Sequence, residues 1–159
     1  MIQENIIIER AALLQEVHLK NHYLGEAAKR QNRDADIIQS SPDDEELLDS
    51  FVRRACNALV SSLAMRFSQI TFEQNSNYIS FVFDNEKNYG IHLIPILKQA
   101  ITDYLVNEVT LHWLLLRQPA MAETSISLRM SLYRSVQQMF AKIYNSKKIR
   151  RRPTDLAGI

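Results

Sequence analysis

With 159 residues and 18.4 kDa, the chain is the size of one domain and short for two independent cores. Its 19 basic and 18 acidic residues leave a formal net charge of +1, so bulk charge selects no partner, and the lone cysteine, Cys56, excludes an intrachain disulfide and suits a reducing compartment. Three glycines and four prolines leave no room for a Walker loop or a GxGxxG turn, and they favour long helices over a turn-rich β fold.

The opening MIQENIIIER carries an acid at Glu4 and an isoleucine run of only three, which reads as neither a signal peptide nor a membrane span. From Ile6 to about Arg30 the positions Ile6, Leu13, Val17 and Leu24 recur at helical spacing. They predict a first helix with Glu9, Arg10, Glu16 and Lys20 toward water. The polar stretch QNRDADIIQSSP is a loop. At Ser41-Pro42-Asp43-Asp44-Glu45-Glu46 a capping serine, a proline suited to the first helical position and four acids at the positive end of the dipole announce a second helix. Leu47, Leu48, Phe51, Val52, Ala55, Leu59, Leu63 and Phe67 form its apolar stripe, opposite Arg53 and Arg54. Cys56 falls in this pattern as a small buried hydrophobe.

The period then changes. Ile70 and Phe72 precede an Asn75-Ser76-Asn77 turn, and Ile79, Phe81 and Phe83 alternate with Ser80 and Val82 after it, which predicts a β-hairpin near residues 70–84. A two-stranded hairpin is marginal alone, so it must pack on the helices or be completed by another chain's strand. A third helix is expected from near His92 to Arg117, with Leu97, Ile101, Tyr104, Leu105, Val109 and Leu116 on overlapping apolar faces. Gln118-Pro119 breaks it. A fourth runs from about Ala122 to Ser146 on a stripe of Leu128, Leu132, Val136, Met139, Phe140 and Ile143, antiparallel to the third because the connection is short. The expected fold is therefore mainly α: a bundle of about four helices with a small β-hairpin between helices two and three. Residues 1–146 form one domain and residues 147–159 a basic C-terminal arm.

No catalytic pattern is present. His18 and His22 are four apart, a spacing able to place two imidazoles on one metal, but Leu-Lys-Asn between them lacks the glutamate of an HExxH motif. They read as solvated surface histidines. No GxSxG elbow or cysteine signature surrounds a nucleophile, and the acids Asp43 to Glu46 are explained by helix-start electrostatics. No enzymatic activity, metal or cofactor is expected.

Charge is distributed unevenly. Lys142, Lys147, Lys148, Arg150, Arg151 and Arg152 fall in a stretch without an acid; setting these six aside leaves 13 basic against 18 acidic residues, a remainder of −5. The arm could contact phosphate backbones with strong salt dependence. Without an RNP motif, a zinc finger or interleaved aromatics it would read no sequence. A protein contact, or a solvated helix end that complements the C-terminal dipole, is favoured over that phosphate contact. Trp113, in LHWLLLR, is of a type enriched at interaction hot spots, while its apolar surroundings suggest burial in the fold or against a neighbouring subunit.

Taken in order, SPDDEELLDSFVRRACNALVSSL, the hairpin, AITDYLVNEVTLHWLLLRQPAMAETSISL and KIYNSKKIRRRP resemble small virion-associated proteins of tailed phages and prophages of gut Bacteroidales. The acidic start and LLDSF helix are also similar to the helical head–tail connector proteins that form a ring under the phage portal. The resemblance spans roughly residues 40–153 as an order of elements and charges, and the chain departs from the connector pattern by its long N-terminal helix and its hairpin. What it implies is a structural subunit of the phage neck, found in the virion after assembly in the bacterial host cytoplasm. Its implied partners are neighbouring copies in a ring, the portal and other neck or tail proteins, and the DNA backbone in the lumen, with no membrane. A ring of heterologous contacts needs two complementary surfaces on each subunit. The expected contact residues are Lys147, Lys148, Arg150, Arg151 and Arg152 on one side and Asp43, Asp44, Glu45, Glu46 and Asp49 on the other. Trp113 and the hairpin-tip residues Asn75 and Asn77 are further candidate interface positions. The alternative class is a nonspecific DNA-binding accessory protein using the same arm.

Overall fold

The structure, a computed structural model, describes residues 2–31, 35–67, 70–85 and 90–145. In chain order these form β1 (Ile2–Glu9), α1 (Arg10–Arg30), α2 (Glu45–Ala64), β2 (Thr71–Gln74), β3 (Tyr78–Asn85), α3 (Ile94–Arg117) and α4 (Glu123–Asn145). Single 3-10 turns at Pro42–Asp44, Ile91–Leu93 and Pro119–Met121 lead into α2, α3 and α4. The chain is thus mainly helical, with four helices and one small antiparallel sheet among the described residues.

The N-terminus departs from the sequence expectation. Ile2–Glu9 is a strand, and helix begins only at Arg10. Ile6 and Ile8 are buried while Asn5, Ile7 and Glu9 are exposed, an alternation of period two that suits a β-branched run on a half-buried sheet. Its partner is β3, with Ile6 opposite Phe81 and Ile8 opposite Ile79. The pairing spans more than seventy residues of sequence, so no local pattern announces it. Strand order is β1-β3-β2, and the hairpin is completed by the chain's own strand.

The hairpin lies between α2 and α3 as expected. Its turn is made by Asn75, whose Oδ1 accepts hydrogen bonds from the backbone N–H groups of Asn77 and Tyr78 at 2.8 and 2.9 Å. Asn75→Ala removes this acceptor and both hydrogen bonds, and is expected to cost about 1 kcal/mol. Chemical denaturation should show a lower midpoint with an unchanged slope.

At α2, the Ser41 N–H donates to Asp44 Oδ2 at 2.8 Å and the Asp44 N–H to the Ser41 carbonyl at 3.0 Å, with Pro42 opening the turn. Gly90 opens the segment before α3 in the left-handed region, φ 67°. A Cβ there would lie in van der Waals contact with Ile143, 3.4 Å from its Cα, so the cost of a side chain at this position is the left-handed backbone.

Helix α3 is the centre of the molecule. From Ile101 to Leu111 every residue but Asp103 is buried, because α3 packs against α1, α2, α4 and β1. It pairs antiparallel with α4, as Asn107 meets Ser125, Glu108 meets Arg129, Tyr104 meets Tyr133, and the segment just before α3 meets Ile143. The line of α4 that packs runs through Ser125, Arg129, Leu132, Val136, Phe140 and Ile143. Leu128, expected in the buried stripe, turns outward and is 41 % exposed.

One core joins the inner face of the sheet (Ile6, Ile8, Ile79, Phe81, Phe83) to the stripes of α1, α2, α3 and α4, with Cys56 inside it as a small hydrophobe. A smaller cluster of Ala28, Ile38, Leu111, Leu114 and Ala122 closes the far end. On the other face of the sheet Asn5, Ile7 and Glu9 are exposed. Among the described residues no helix is long and apolar enough to cross a membrane.

Candidate interaction surfaces

The acidic segment divides into residues already engaged within the chain and residues that are not. Arg10, the first residue of α1, donates from Nε to Asp49 Oδ1 at 2.8 Å and from Nη2 to Asp49 Oδ2 at 2.7 Å, with Glu45 Oε2 3.3 Å away. This two-pronged bond raises the affinity of Arg10 for its proton. Asp44 caps the turn and stands 3.7 Å from Arg117. Asp43 and Glu46 are exposed. The five acids are therefore not one free surface as the sequence suggests: Arg10, expected toward water, takes two of them.

The two histidines of α1 also separate. His22 is exposed. His18 is half-buried, its Nδ1 within hydrogen-bond distance of Ser40 Oγ at 2.7 Å, and Asn21 Nδ2 donates to the same Oγ at 2.9 Å. Lys20, expected in water, is half-buried with Nζ 3.3 Å from Asn107 Oδ1, and burial lowers its pKa. Among the described residues no group of three or more His, Cys, Asp or Glu is placed to hold a metal ion.

Trp113 is a core residue and not a surface one. It is 0 % exposed and donates from Nε1 to the Ile38 carbonyl at 2.6 Å, tying α3 to the loop after α1, while the Arg117 guanidinium lies 4.7 Å from its ring centre. As a candidate interface position it is corrected: a side chain closed off by its own fold offers no area to a partner. Asn75 and Asn77 do occupy an exposed tip. The Asn75 side chain is committed to the turn, and the Asn77 carbonyl accepts the Arg10 N–H at 3.0 Å. Lys147, Lys148, Arg150, Arg151 and Arg152 lie outside the described residues.

Sequence reasoning missed a buried charge pair. Glu108, 1 % exposed in the middle of α3, faces Arg129 of α4, which is 51 % exposed. Arg129 Nη2 donates to Glu108 Oε2 at 3.0 Å, and its Nε stands 2.7 Å from Oε1. Burial pushes the Glu108 carboxyl above the usual carboxylate range, and Arg129 opposes that shift. His112, one turn on and 3.9 Å from Glu108, is driven the other way, toward its neutral form, first by burial and then by Arg54 and Arg129. Arg129 also lines an open groove of about 380 Å³ together with Ala58, Ser62, Tyr104, Ile126, Met130 and Tyr133. The signal available in the sequence was a lone glutamate in the apolar run of α3, three residues before Leu111 and five before Trp113.

The free edge of β1 was also invisible, because the strand itself was. The Arg10 N–H to Asn77 carbonyl bond continues the β1–β3 ladder and fixes its phase. In antiparallel pairing alternate residues turn their main chain to the partner. Glu4, Ile6 and Ile8 therefore face β3, while Gln3, Asn5, Ile7 and Glu9 turn N–H and C=O outward, where no strand of the described residues pairs with them. Beside this edge, β1, α1 and α3 enclose a second groove of about 280 Å³, whose charged lining is Glu9, Glu16 and Lys98.

No family model, no curated protein and no solved structure matches the chain.

Proposed function

We propose that the chain is a non-enzymatic assembly subunit of the tailed-phage neck, a head–tail connector protein that repeats in a ring between portal and tail and docks on its neighbours through the basic C-terminal arm. The observation that carries this reading is the separation of charge along one chain. Five cations stand within residues 147–152, and with Lys142 set aside as well the remainder holds five more acids than bases. Unlike surfaces on one subunit are what a closed ring of head-to-tail contacts requires, and charge pairing between them sets register. Asp43 and Glu46, exposed at the start of α2, are acids that a neighbour's cations can reach. The resemblance described above supplies the setting, and the order of helices and hairpin is compatible with it.

A second reading, a nonspecific DNA-binding accessory protein, draws on the density of cations in the same arm. The two separate by salt and by charge reversal. Phosphate contact by five cations loses affinity log-linearly in salt with a slope of about −4 to −5, whereas a packed protein contact responds less. In the full chain, R150E/R151E/R152E is expected to weaken self-association by about tenfold or more. Unchanged assembly in this variant would overturn the role given to the arm.

A further inference from the structure

We infer that the basic arm of one copy adds as a strand to the free edge of β1 in the next copy, antiparallel, with residues 147–152 beside residues 4–9. This rests on the reading that the arm engages a neighbouring subunit, and it names the surface engaged.

Three observations converge on it. The outer edge of β1 presents the N–H and C=O groups of Gln3, Asn5, Ile7 and Glu9 with no paired strand among the described residues, and natural sheets rarely leave a long edge of this kind uncovered. That edge is acidic at Glu4 and Glu9, with Glu16 in the adjoining groove, and it carries one exposed apolar side chain, Ile7, at 47 %. The arm carries the complement: Lys147, Lys148, Arg150, Arg151 and Arg152 around a single apolar residue, Ile149. One antiparallel register satisfies both. With Ile149 opposite Ile7, Lys147 falls opposite Glu9 and Arg152 opposite Glu4, so both end pairs are of opposite charge. Pro153, which has no N–H to give, then falls opposite Gln3 and ends the ladder.

The same register requires a second copy. Phe140 of α4 packs 5.2 Å from Phe83, which pairs with Glu4. Ile143 packs on Gly90, beyond the Asn85 end of β3, so α4 ends on the Glu4 side of the sheet. Lys147 has to lie at the Glu9 end, five residues or roughly 17 Å further along the strand. The two residue steps from Asn145 to Lys147 span about 7 Å at most. A strand edge filled by another chain's extended segment is a recurrent docking mode, with main-chain bonds giving affinity and side chains giving register.

The test is disulfide trapping in the full chain. Single variants I7C and I149C are mixed and oxidised with oxidised glutathione, then separated without reductant. Cys56 does not compete, since it is buried and its thiol is pushed up to about 12. The expected product is a mixed covalent dimer, absent from either variant alone. Adding E9K to the I7C partner places like charges opposite one another and is expected to cut the yield by about fivefold. The double variant I7C/I149C should give a ladder of oligomers. A cross-link confined to the monomer would overturn the inference by placing the arm on its own strand. Oligomers that assemble without any mixed cross-link would overturn it while leaving the ring reading intact; a chain that neither cross-links nor associates would remove both.

Discussion

Replacing Arg129 with methionine is expected to lower stability by about 3 kcal/mol at neutral pH, because it leaves the Glu108 carboxylate buried without its counter-ion. The value falls at the lower end for a broken buried pair because Arg129 is half-exposed and water can take part of its place. The loss should depend on pH in a definite sense. Burial holds the Glu108 carboxyl above the ordinary carboxylate range, and Arg129 is the cation that opposes the shift, so removing Arg129 raises it further. Between the ordinary and the raised value the native state holds a proton that the unfolded chain has released. Stability therefore falls as pH rises through that window, and the deficit is complete above it. Lowering the pH from 7 toward about 5 should bring R129M closer to the unmodified chain. Adding E108Q to R129M should recover most of the loss, since an amide is far cheaper to bury than an unpaired charge. Denaturant titrations of the three proteins at both pH values check this; a loss in R129M that is independent of pH would show that Glu108 is not the group left stranded.

Trp113→Ala is expected to cost about 3–5 kcal/mol, the usual range for emptying a large buried aromatic site, and to lower the melting temperature by roughly 10 °C. Two separate losses contribute. The cavity opens where α3 meets the loop after α1, and the Ile38 carbonyl loses the indole N–H that satisfies it at 2.6 Å. Trp113→Phe keeps most of the volume and forfeits only the hydrogen bond, so about 1–2 kcal/mol is expected. The comparison also decides what kind of residue Trp113 is. A core position lowers the unfolding temperature of the isolated chain and leaves affinity for a partner unchanged in whatever fraction is folded. An interface position does the reverse. Thermal melts together with self-association measured on the phenylalanine variant distinguish the two.

Much of the helical frame was legible because each signal was local. The serine, proline and acids at residues 41–46 mark the start of α2, Gln118-Pro119 separates α3 from α4, and the polar Asn-Ser-Asn turn at 75–77 sits between alternating residues. The strand at the N-terminus was not legible as such. Ile6, Leu13 and Val17 fit a helical period well enough to absorb three β-branched residues, and what makes Ile2–Glu9 a strand is β3, more than seventy residues away. The charge surfaces were legible in part. Composition found the acids at 43–49 and the cations at 147–152, but not that Arg10 occupies Glu45 and Asp49. Nor could it place Glu108 against Arg129, twenty-one residues on, because that pairing follows from the antiparallel packing of α3 on α4.

The misread N-terminus bears directly on function. Read as helix, residues 6–9 offered nothing to a partner. As an edge strand, residues 4–9 with acids at both ends give the basic arm a destination whose length, charge and single exposed apolar residue match it, and charges placed in this way govern register more than affinity.

The central claim is self-assembly through unlike surfaces, and the molar mass of the full chain in solution tests it most directly. Light scattering at low and moderate salt, followed by negative-stain imaging of any large species, is predicted to give a mass several times 18.4 kDa that falls as salt rises, with closed rings in the images. A monomer at every salt and concentration, together with DNA binding that weakens log-linearly in salt, would contradict it and assign the arm to phosphate.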